Sequence, residues 1–425
     1  MVKTVIAFII IFGVLVFVHE FGHYFFARRA GILVREFSIG VGPKLFAFCR
    51  GSTTFTIRIL PLGGYVRLAG LEDDQDYLQK GMPIVVALDD NNHVVRIDAS
   101  KKHHLMTGMP LEVTAWDLEK ELWLEGYTDS EENDLRRLSV DHDATIIEAD
   151  GTELQIAPLD VQFQSASVMK RIITNAAGAF NNFLLAIIAF FLIAVLQGGV
   201  ASSTNQVAKV MPHSVAADAG IKANDRIIRI NGDRTATWDQ VATAIGNHPG
   251  KKITITVQRK HDTHEIAMTP QVKIENGRKT GVIGITAKLE YDRSPGAIIG
   301  YGFKETATMV ATIFSALGRM FTHGVSLNDF GGPVAMYSYT SEAAQYGVLS
   351  VVGLLAVLSV NLGVVNLLPI PALDGGKILL NIIEGVRGKP LDPEKEGLIT
   401  MIGFGFLLLL MILVTWNDFQ RFFLH

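Results

Sequence analysis

Long apolar runs alternate along this chain with stretches in which apolar and polar residues take turns. An apolar run of about 20 residues is long enough to cross a bilayer as a helix, and strict alternation is typical of a half-buried β-strand. Four such runs predict membrane helices, at about residues 5–26, 179–200, 348–369 and 398–416. The pattern therefore predicts a polytopic α-helical membrane protein with four transmembrane helices, a β-rich insert and one small α/β module.

These patterns divide the sequence into nine segments. In chain order they are a first transmembrane helix at 1–27, a membrane-associated β-element at 28–69, a cytoplasmic β-rich insert at 70–165, a second transmembrane helix at 170–200, an extracytoplasmic α/β module at 203–272, an amphipathic segment at the membrane surface at 273–340, a third transmembrane helix at 345–376, a cytoplasmic loop at 377–396 and a fourth transmembrane helix at 397–418.

Three stretches in the first half carry strand patterns. Residues 54–59 alternate before a predicted break at Gly63-Gly64, and two hairpins are predicted at 84–97 and 145–156, the second with Asp150-Gly151 at its turn. Two interpretations of the glycine-rich element stay open. It is either a plain structural sheet or an exposed edge that pairs with an unfolded substrate strand.

Composition narrows the class of protein. Hydrophobic residues make up 49% of the 425 positions, yet 19% are charged, which indicates membrane helices with attached polar modules. A formal net charge of −4 argues against a nucleic-acid partner. Cys49 is the only cysteine, so an intrachain disulfide and a cysteine metal cluster are excluded.

The first apolar run also resembles a signal peptide, but no small-residue cleavage site closes it, so we expect a retained helix. Arg28 and Arg29 follow this run, and Lys170 and Arg171 precede the second one. The positive-inside tendency places these basic residues in the cytoplasm. Both chain termini are then extracytoplasmic.

Candidate chemistry begins at the end of the first run, with His19-Glu20-Phe21-Gly22-His23. In a helix the two histidines share one face, so that both imidazoles reach one zinc ion, with Glu20 beside it as a base. Ionisable groups inside a membrane helix are costly and indicate a functional site.

A catalytic zinc site needs a third protein ligand. Asp374 is the best candidate, because it follows the third run at a similar predicted depth and no other acidic residue competes there. Asn366 is a candidate hydrogen-bond donor to the substrate or to a developing oxyanion.

The two motifs, H-E-F-G-H and N-L-L-P-I-P-A-L-D-G-G, resemble those of the site-2 protease family of intramembrane zinc metalloproteases, in its bacterial regulator-of-sigma-E protease branch. Phe37 to Lys44, Gly63 to Val66 and Ala176 to Gly178 are also similar, so the likeness covers nearly the whole chain. The family has proline where this chain has Ala179, whereas Asn182 fits its pattern.

The resemblance implies roles for individual residues. His19, His23 and Asp374 are implied zinc ligands, and Glu20 the implied base. Asn366, Pro369, Pro371 and the stretch Gly63, Gly64 and Tyr65 are implied to position the substrate. The implied substrates are single-pass membrane proteins, such as anti-sigma factor stubs, or signal-peptide remnants.

The element order in residues 203–272 is similar to that of a bacterial PDZ domain, which implies peptide tails as ligands. A single module of this kind is typical of the Gram-positive form of the family. Two other functions remain as alternatives, an ion- or proton-coupled transporter and an inactive PDZ scaffold. No internal repeat of the kind found in transporters is visible, and the intact glutamate argues against an inactive scaffold.

Overall fold

The apolar runs form long helices in a computed structural model that describes residues 2–70, 78–100, 108–128, 134–148, 152–275, 278–324, 326–327 and 330–421. The helices in this part of the chain are α1 (Val2–Arg29), α2 (Val168–Leu196), α3 (Val215–Asp218), α4 (Trp238–Gly246), α5 (Pro295–His323), α6 (Pro333–Tyr346), α7 (Val348–Asn366), α8 (Asp374–Arg387) and α9 (Pro393–Phe419). Four of these, α1, α2, α7 and α9, are long and apolar enough to cross a membrane.

A β-hairpin follows α1 directly. Its strands, β1 (Val34–Arg50) and β2 (Thr53–Leu68), pair antiparallel over most of their length. Residues 36–39 of β1 pair with residues 54–57 and also with residues 64–67, so β2 folds back along β1. Strand β2 runs through the predicted break at Gly63-Gly64, but its pairing changes between residues 57 and 64, and Gly63 bends it there with a φ of +95°.

The far half of this hairpin exposes apolar side chains, among them Leu45, Phe46 and Phe48. Phe48 stacks on Phe55 across the two strands, with ring centroids 5.2 Å apart. The thiol of Cys49 is free and exposed beside them. An apolar surface of this kind suits a lipid environment better than water.

The next segment forms a small β-barrel. Its strands are β3 (Pro83–Leu88), β4 (Val94–Asp98), β5 (Met109–Asp117), β6 (Trp123–Tyr127), β7 (Leu135–Ile147) and β8 (Glu153–Gln155). They are ordered β4-β3-β5-β6-β7-β8, and a parallel pairing of β4 with β7 closes the sheet. Closure buries a continuous apolar core that includes Ile84, Ile97, Leu124 and Ile146. The predicted turn at Asp150-Gly151 lies outside the described residues.

The chain divides into two units, residues 1–189 with 305–425, and residues 190–304. In the second unit the strands are β9 (Val200–Val210), β10 (Arg226–Ile230), β11 (Asp233–Arg234), β12 (Ile253–Arg259), β13 (Asp262–Met268), β14 (Gln271–Glu275), β15 (Arg278–Val282) and β16 (Ile285–Asp292). One sheet is ordered β13-β12-β10-β9-β16, and β14 and β15 form a separate hairpin. The apolar core of the second unit includes Ile227, Val241 and Ile255.

Three predicted boundaries are wrong. The third transmembrane helix does not reach residue 376, because α7 ends at Asn366. The α/β module does not end at residue 272, because β16 returns to pair with β9 along residues 285–292 and completes the same sheet. Residues 377–396 are not a loop, because α8 occupies 374–387. The apolar residues of α8 lie on one face of an otherwise polar helix, whereas the loop prediction rested only on the basic residues.

Candidate metal centre

Helix α1 places His19 and His23 one turn apart on the same face. Their ring centroids are 4.9 Å apart, and the two Nε2 atoms are 3.3 Å apart. This proximity follows from the four-residue spacing in a helix, which sets one side chain above the other. The first motif therefore presents two imidazole nitrogens to a common point.

Asp374 comes to that point from the first residue of α8. Its Oδ2 atom lies 3.4 Å from His19 Nε2 and 3.3 Å from His23 Nε2. The three side chains form the one His/Cys/Asp/Glu cluster of the described residues with metal-ligand spacing. Residues 351 positions apart in sequence thus meet at one site.

The geometry of this cluster fits zinc. Four-coordinate zinc, with bonds of about 2.0–2.1 Å, holds its ligand atoms about 3.3–3.4 Å apart, which is the edge of the tetrahedron. The three ligand atoms already have this spacing, and the buried Oδ2 of Asp374 has no hydrogen-bond partner in the described part of the chain. Two imidazoles and one carboxylate leave a fourth position open, as in catalytic zinc sites.

The loop between α7 and α8 positions Asp374. Ala372 adopts the left-handed region, with a φ of +77°, which is costly for a residue with a Cβ. Close packing holds this turn, since a Cβ added at Gly375 would lie 2.3 Å from the carbonyl oxygen of Leu368, and one added at Gly403 of α9 would lie 2.2 Å from that of Pro371. The turn is therefore held by close packing against Gly375 of α8 and Gly403 of α9.

Helix α2 lines the back of the two imidazoles. The backbone carbonyl of Thr174 is 2.8 Å from His23 Nδ1, and the side-chain nitrogen of Asn182 is 3.0 Å from His19 Nδ1. Gly178 lies between Thr174 and Asn182 on α2, and a Cβ added there would lie 2.3 Å from His23 Nε2. Thr174 and Gly178 were not predicted as site residues. The signal was their spacing with Asn182, four residues apart along an otherwise apolar helix.

Glu20 lies between two cavities that meet at the cluster. Its side chain is buried, with 8% of the residue exposed. A polar cavity of about 520 Å³ is lined by His19, Glu20, His23, Glu36, Gly64, Tyr65, Val66, Arg67, Leu68, Thr174, Asn175, Asp374 and Lys377. A more apolar cavity, also of about 520 Å³, is lined by Phe12, Leu15, Val16, His19, Glu20, Gly63, Gly64, Met336, Leu358, Asn361, Leu362, Val365 and Asn366.

Gly64 lets β2 approach α1 at the junction of the two cavities. A Cβ at this position would lie 2.6 Å from the carbonyl oxygen of Ser38 and 2.9 Å from Glu20 Cγ. The next residue, Tyr65, donates a hydrogen bond of 2.8 Å to Glu36, which is also paired with Arg58. The backbone of residues 64–68 therefore runs beside the cluster, held by polar contacts at its start.

The predicted site residues fall into three groups. His19, Glu20, His23 and Asp374 lie together. Gly63 and Asn366 line the apolar cavity, Tyr65 lines the polar one, and Gly64 lines both. Among the described residues, Pro369 and Pro371 line neither cavity, and they lie in the connection from α7 to α8, before Asp374.

The sequence matches the model of peptidase family M50 over residues 7–410. It is 53% identical over 424 residues to the protein named probable protease eep of Enterococcus faecalis, covering 99% of this chain and 100% of that protein. It is 46% identical over 438 residues to a protein of Lactococcus lactis whose name assigns it to the zinc metalloproteases, covering 100% of both.

Among solved structures, the PDZ domain of an SdrC-like protein from Listeria monocytogenes is similar to 21% of this chain and to 90% of that domain. The identity is 22% and the TM-score 0.18.

Proposed function

This chain is a zinc metalloprotease of peptidase family M50, and we propose that it cleaves membrane-spanning substrates within the bilayer. The observation that carries the proposal is the tetrahedral spacing of His19, His23 and Asp374. Two of these ligands lie in a helix apolar enough to cross a membrane. A hydrolytic site in such a helix acts on peptide bonds that a soluble protease does not reach.

His19, His23 and Asp374 would hold the zinc ion. When bound, zinc supplies Lewis acidity, which polarises the scissile carbonyl and lowers the pKa of a water molecule. Glu20 adjoins the ligands and lines both cavities, so it is placed to accept the proton of the attacking water and to pass it to the leaving amide nitrogen. Asn366, in the apolar cavity, is placed to donate its side-chain amide to the substrate.

The substrate must be extended to expose a peptide bond to this machinery, because a helix buries its backbone groups in internal hydrogen bonds. Residues 64–67 of β2 pair with β1 on one edge, and no strand of the described residues pairs with their other edge. This edge lies along the polar cavity. We propose that it holds an unwound substrate segment by strand addition.

Suitable substrates are single-pass membrane proteins and signal-peptide remnants. The apolar cavity between α1, α6 and α7 accepts the apolar side chains that such segments carry. The neighbouring polar cavity accepts the cut end and supplies water. An alternative transporter function gains no support from the site, because an acid beside a tetrahedral ligand set is what a hydrolase requires.

Purified protein and its Glu20→Gln variant test the proposal directly. We expect about one zinc ion per chain in both, and cleavage of a model membrane-spanning peptide in detergent only with the native chain. Asp374→Ala should lose the metal while keeping its helical circular dichroism. Cleavage by metal-free protein, or by Glu20→Gln at the native rate, would overturn the mechanism.

We also propose the arrangement in the membrane. The support is Arg28 and Arg29 in the last turn of α1, because basic residues favour the cytoplasmic side of a membrane. That end of α1 and the active site would then face the cytoplasm, and both termini and the strands β9 to β16 would lie outside. Single cysteines in a Cys49→Ser background test this arrangement in intact cells. We expect Lys260→Cys, at a hairpin turn, to react with an impermeant maleimide, and Lys120→Cys to react only after permeabilisation. The reverse pattern would contradict the arrangement.

The second unit is proposed to bind extended peptide tails. Its support is the order of strands and helices, with α4 between β10 and β12, and a self-contained apolar core. The full-length protein should bind peptides that end in a free carboxylate more tightly than the same peptides with an amidated end, as measured by fluorescence anisotropy. Equal affinity for both forms would exclude a PDZ-like mode of binding.

A further inference from the structure

One face of α2 carries Thr174, Gly178 and Asn182 at four-residue spacing, and all three meet the imidazoles of the metal centre. Thr174 and Asn182 contact Nδ1 of His23 and His19, respectively, whereas the Nε2 atoms face Asp374. Each imidazole therefore has one nitrogen for a metal and one nitrogen for α2.

The chemistry of imidazole dictates what α2 has to offer. A neutral imidazole that binds a metal through Nε2 carries its proton on Nδ1 and donates it, so the partner of Nδ1 must be an acceptor. The carbonyl oxygen of Thr174 satisfies this condition for His23 at 2.8 Å. His19 needs an equivalent acceptor.

Asn182 has that acceptor in its side chain, but on the other end of the amide. Its Nδ2 lies 3.0 Å from His19 Nδ1, while its Oδ1 is buried without a hydrogen-bond partner in the described part of the chain. The two ends of an amide have nearly the same shape, so a half-turn of the group exchanges them. That half-turn gives Oδ1 a donor and His19 Nδ1 an acceptor.

We propose that Asn182 is a positioning residue for the metal centre. Its Oδ1 accepts the Nδ1–H of His19, which fixes the ring as the tautomer whose Nε2 binds zinc. The inference rests on the zinc site of the proposed function and adds to it a residue that touches neither metal nor substrate. Asn182 acts only through His19.

The surroundings of Asn182 hold it in place. The residue is fully buried, and Ser359 Oγ of α7 donates a 2.7 Å hydrogen bond to its backbone carbonyl. Its neighbour Asn181 instead donates to the backbone carbonyl of Val18 at 3.2 Å and makes an ordinary contact between helices. The two adjacent asparagines therefore allow a controlled comparison, because only Asn182 contacts the side chain of His19.

The test compares Asn182→Leu, Asn182→Asp and the control Asn181→Leu in the full-length detergent-solubilised protein. The readout is zinc affinity by competition with a chelator, in the absence of any substrate. We expect Asn182→Leu to weaken zinc binding about 10–100-fold, which is the usual cost of losing such a partner. Asn182→Asp retains an acceptor and should stay within a few-fold of native affinity, and Asn181→Leu should leave it unchanged.

Two results would overturn the proposal. One is native zinc affinity in Asn182→Leu, and the other is an equal loss in Asn182→Leu and Asn182→Asp, which would indicate packing alone. If Asn182→Leu does not fold, ¹⁵N spectra of the zinc-loaded native protein decide, since His19 must then show a protonated Nδ1. Failure of the proposed function is distinguishable, because it appears as absent zinc or absent cleavage in the native chain.

Discussion

In the β-barrel insert, neighbouring strands bury a shared apolar core that includes Ile97, Leu124 and Ile146. At the metal centre, by contrast, three segments distant in sequence are brought together at few points of contact, and glycines such as Gly178 allow the close approach. A core loses part of its stability when one side chain is shortened, whereas a site built from close approaches fails when one atom is added. The two regions should therefore respond oppositely to the size of a substitution.

The largest effect is expected from Gly178→Ala. The added Cβ would lie 2.3 Å from His23 Nε2 and 2.7 Å from His19 Cε1, so both imidazole rings would have to move. We expect zinc affinity, measured with a chelator, to fall at least about 100-fold, the upper end for a disturbed ligand environment. Gly13→Ala, on α1 with nothing within 4 Å, is the control and should bind zinc normally.

Leu124→Ala tests the barrel and should have an intermediate effect. Leu124 is fully buried, and removing a leucine side chain from a core costs about 2–5 kcal/mol. Hydrogen exchange in β5, β6 and β7 should report this loss, while zinc affinity stays native. Leu135→Ala removes the same atoms from a half-exposed position of the same barrel and should change little. A joint loss of zinc in Leu124→Ala would show that the two regions are coupled.

The smallest effect is expected at the surface of the barrel. Hydrogen bonds to Asp143 and then to Asp160 raise the pKa of His142 above its ordinary value. The stabilisation is therefore fully present below the unfolded pKa of about 6.5 and is lost as the pH rises through the folded pKa. Exchange protection of β7 should fall slightly between pH 5.5 and 8.5 in the native chain and stay level in His142→Gln. An equal fall in the native chain and in His142→Gln would exclude the hydrogen bonds of His142 as the cause.

The contrast between the barrel and the metal centre also explains which features could be predicted from the sequence. The clustering of His19, His23 and Asp374 was predictable, because the spacing of the two histidines fixes a helix face and an isolated acid such as Asp374 stands out next to an apolar run. The closure of the barrel was not predictable, because the parallel pairing of β4 with β7 joins residues 46 to 49 positions apart and leaves no local pattern. The pairing of β9 with β16 escaped prediction for the same reason.

The surroundings of the ligands were less predictable than the ligands themselves. The acceptor for His23 is the backbone carbonyl of Thr174, and every residue has such a carbonyl, so no side chain reveals it. Asn182 was noted because it fits the pattern of the family, and its partner depended on how α2 is rotated against α1. Packing sets that rotation, and Gly22 of α1 and Gly178 of α2 permit the close approach of the two helices.

The exposed thiol of Cys49 has a practical consequence. Because the sequence contains no other cysteine, a spin label or fluorophore attaches at this one position without prior mutagenesis. Cys49 lies on β1 in register with Thr54 of β2, in the apolar half of the hairpin. The native protein thus carries a ready-made spectroscopic reporter of how deeply that hairpin sits in lipid and of when it moves.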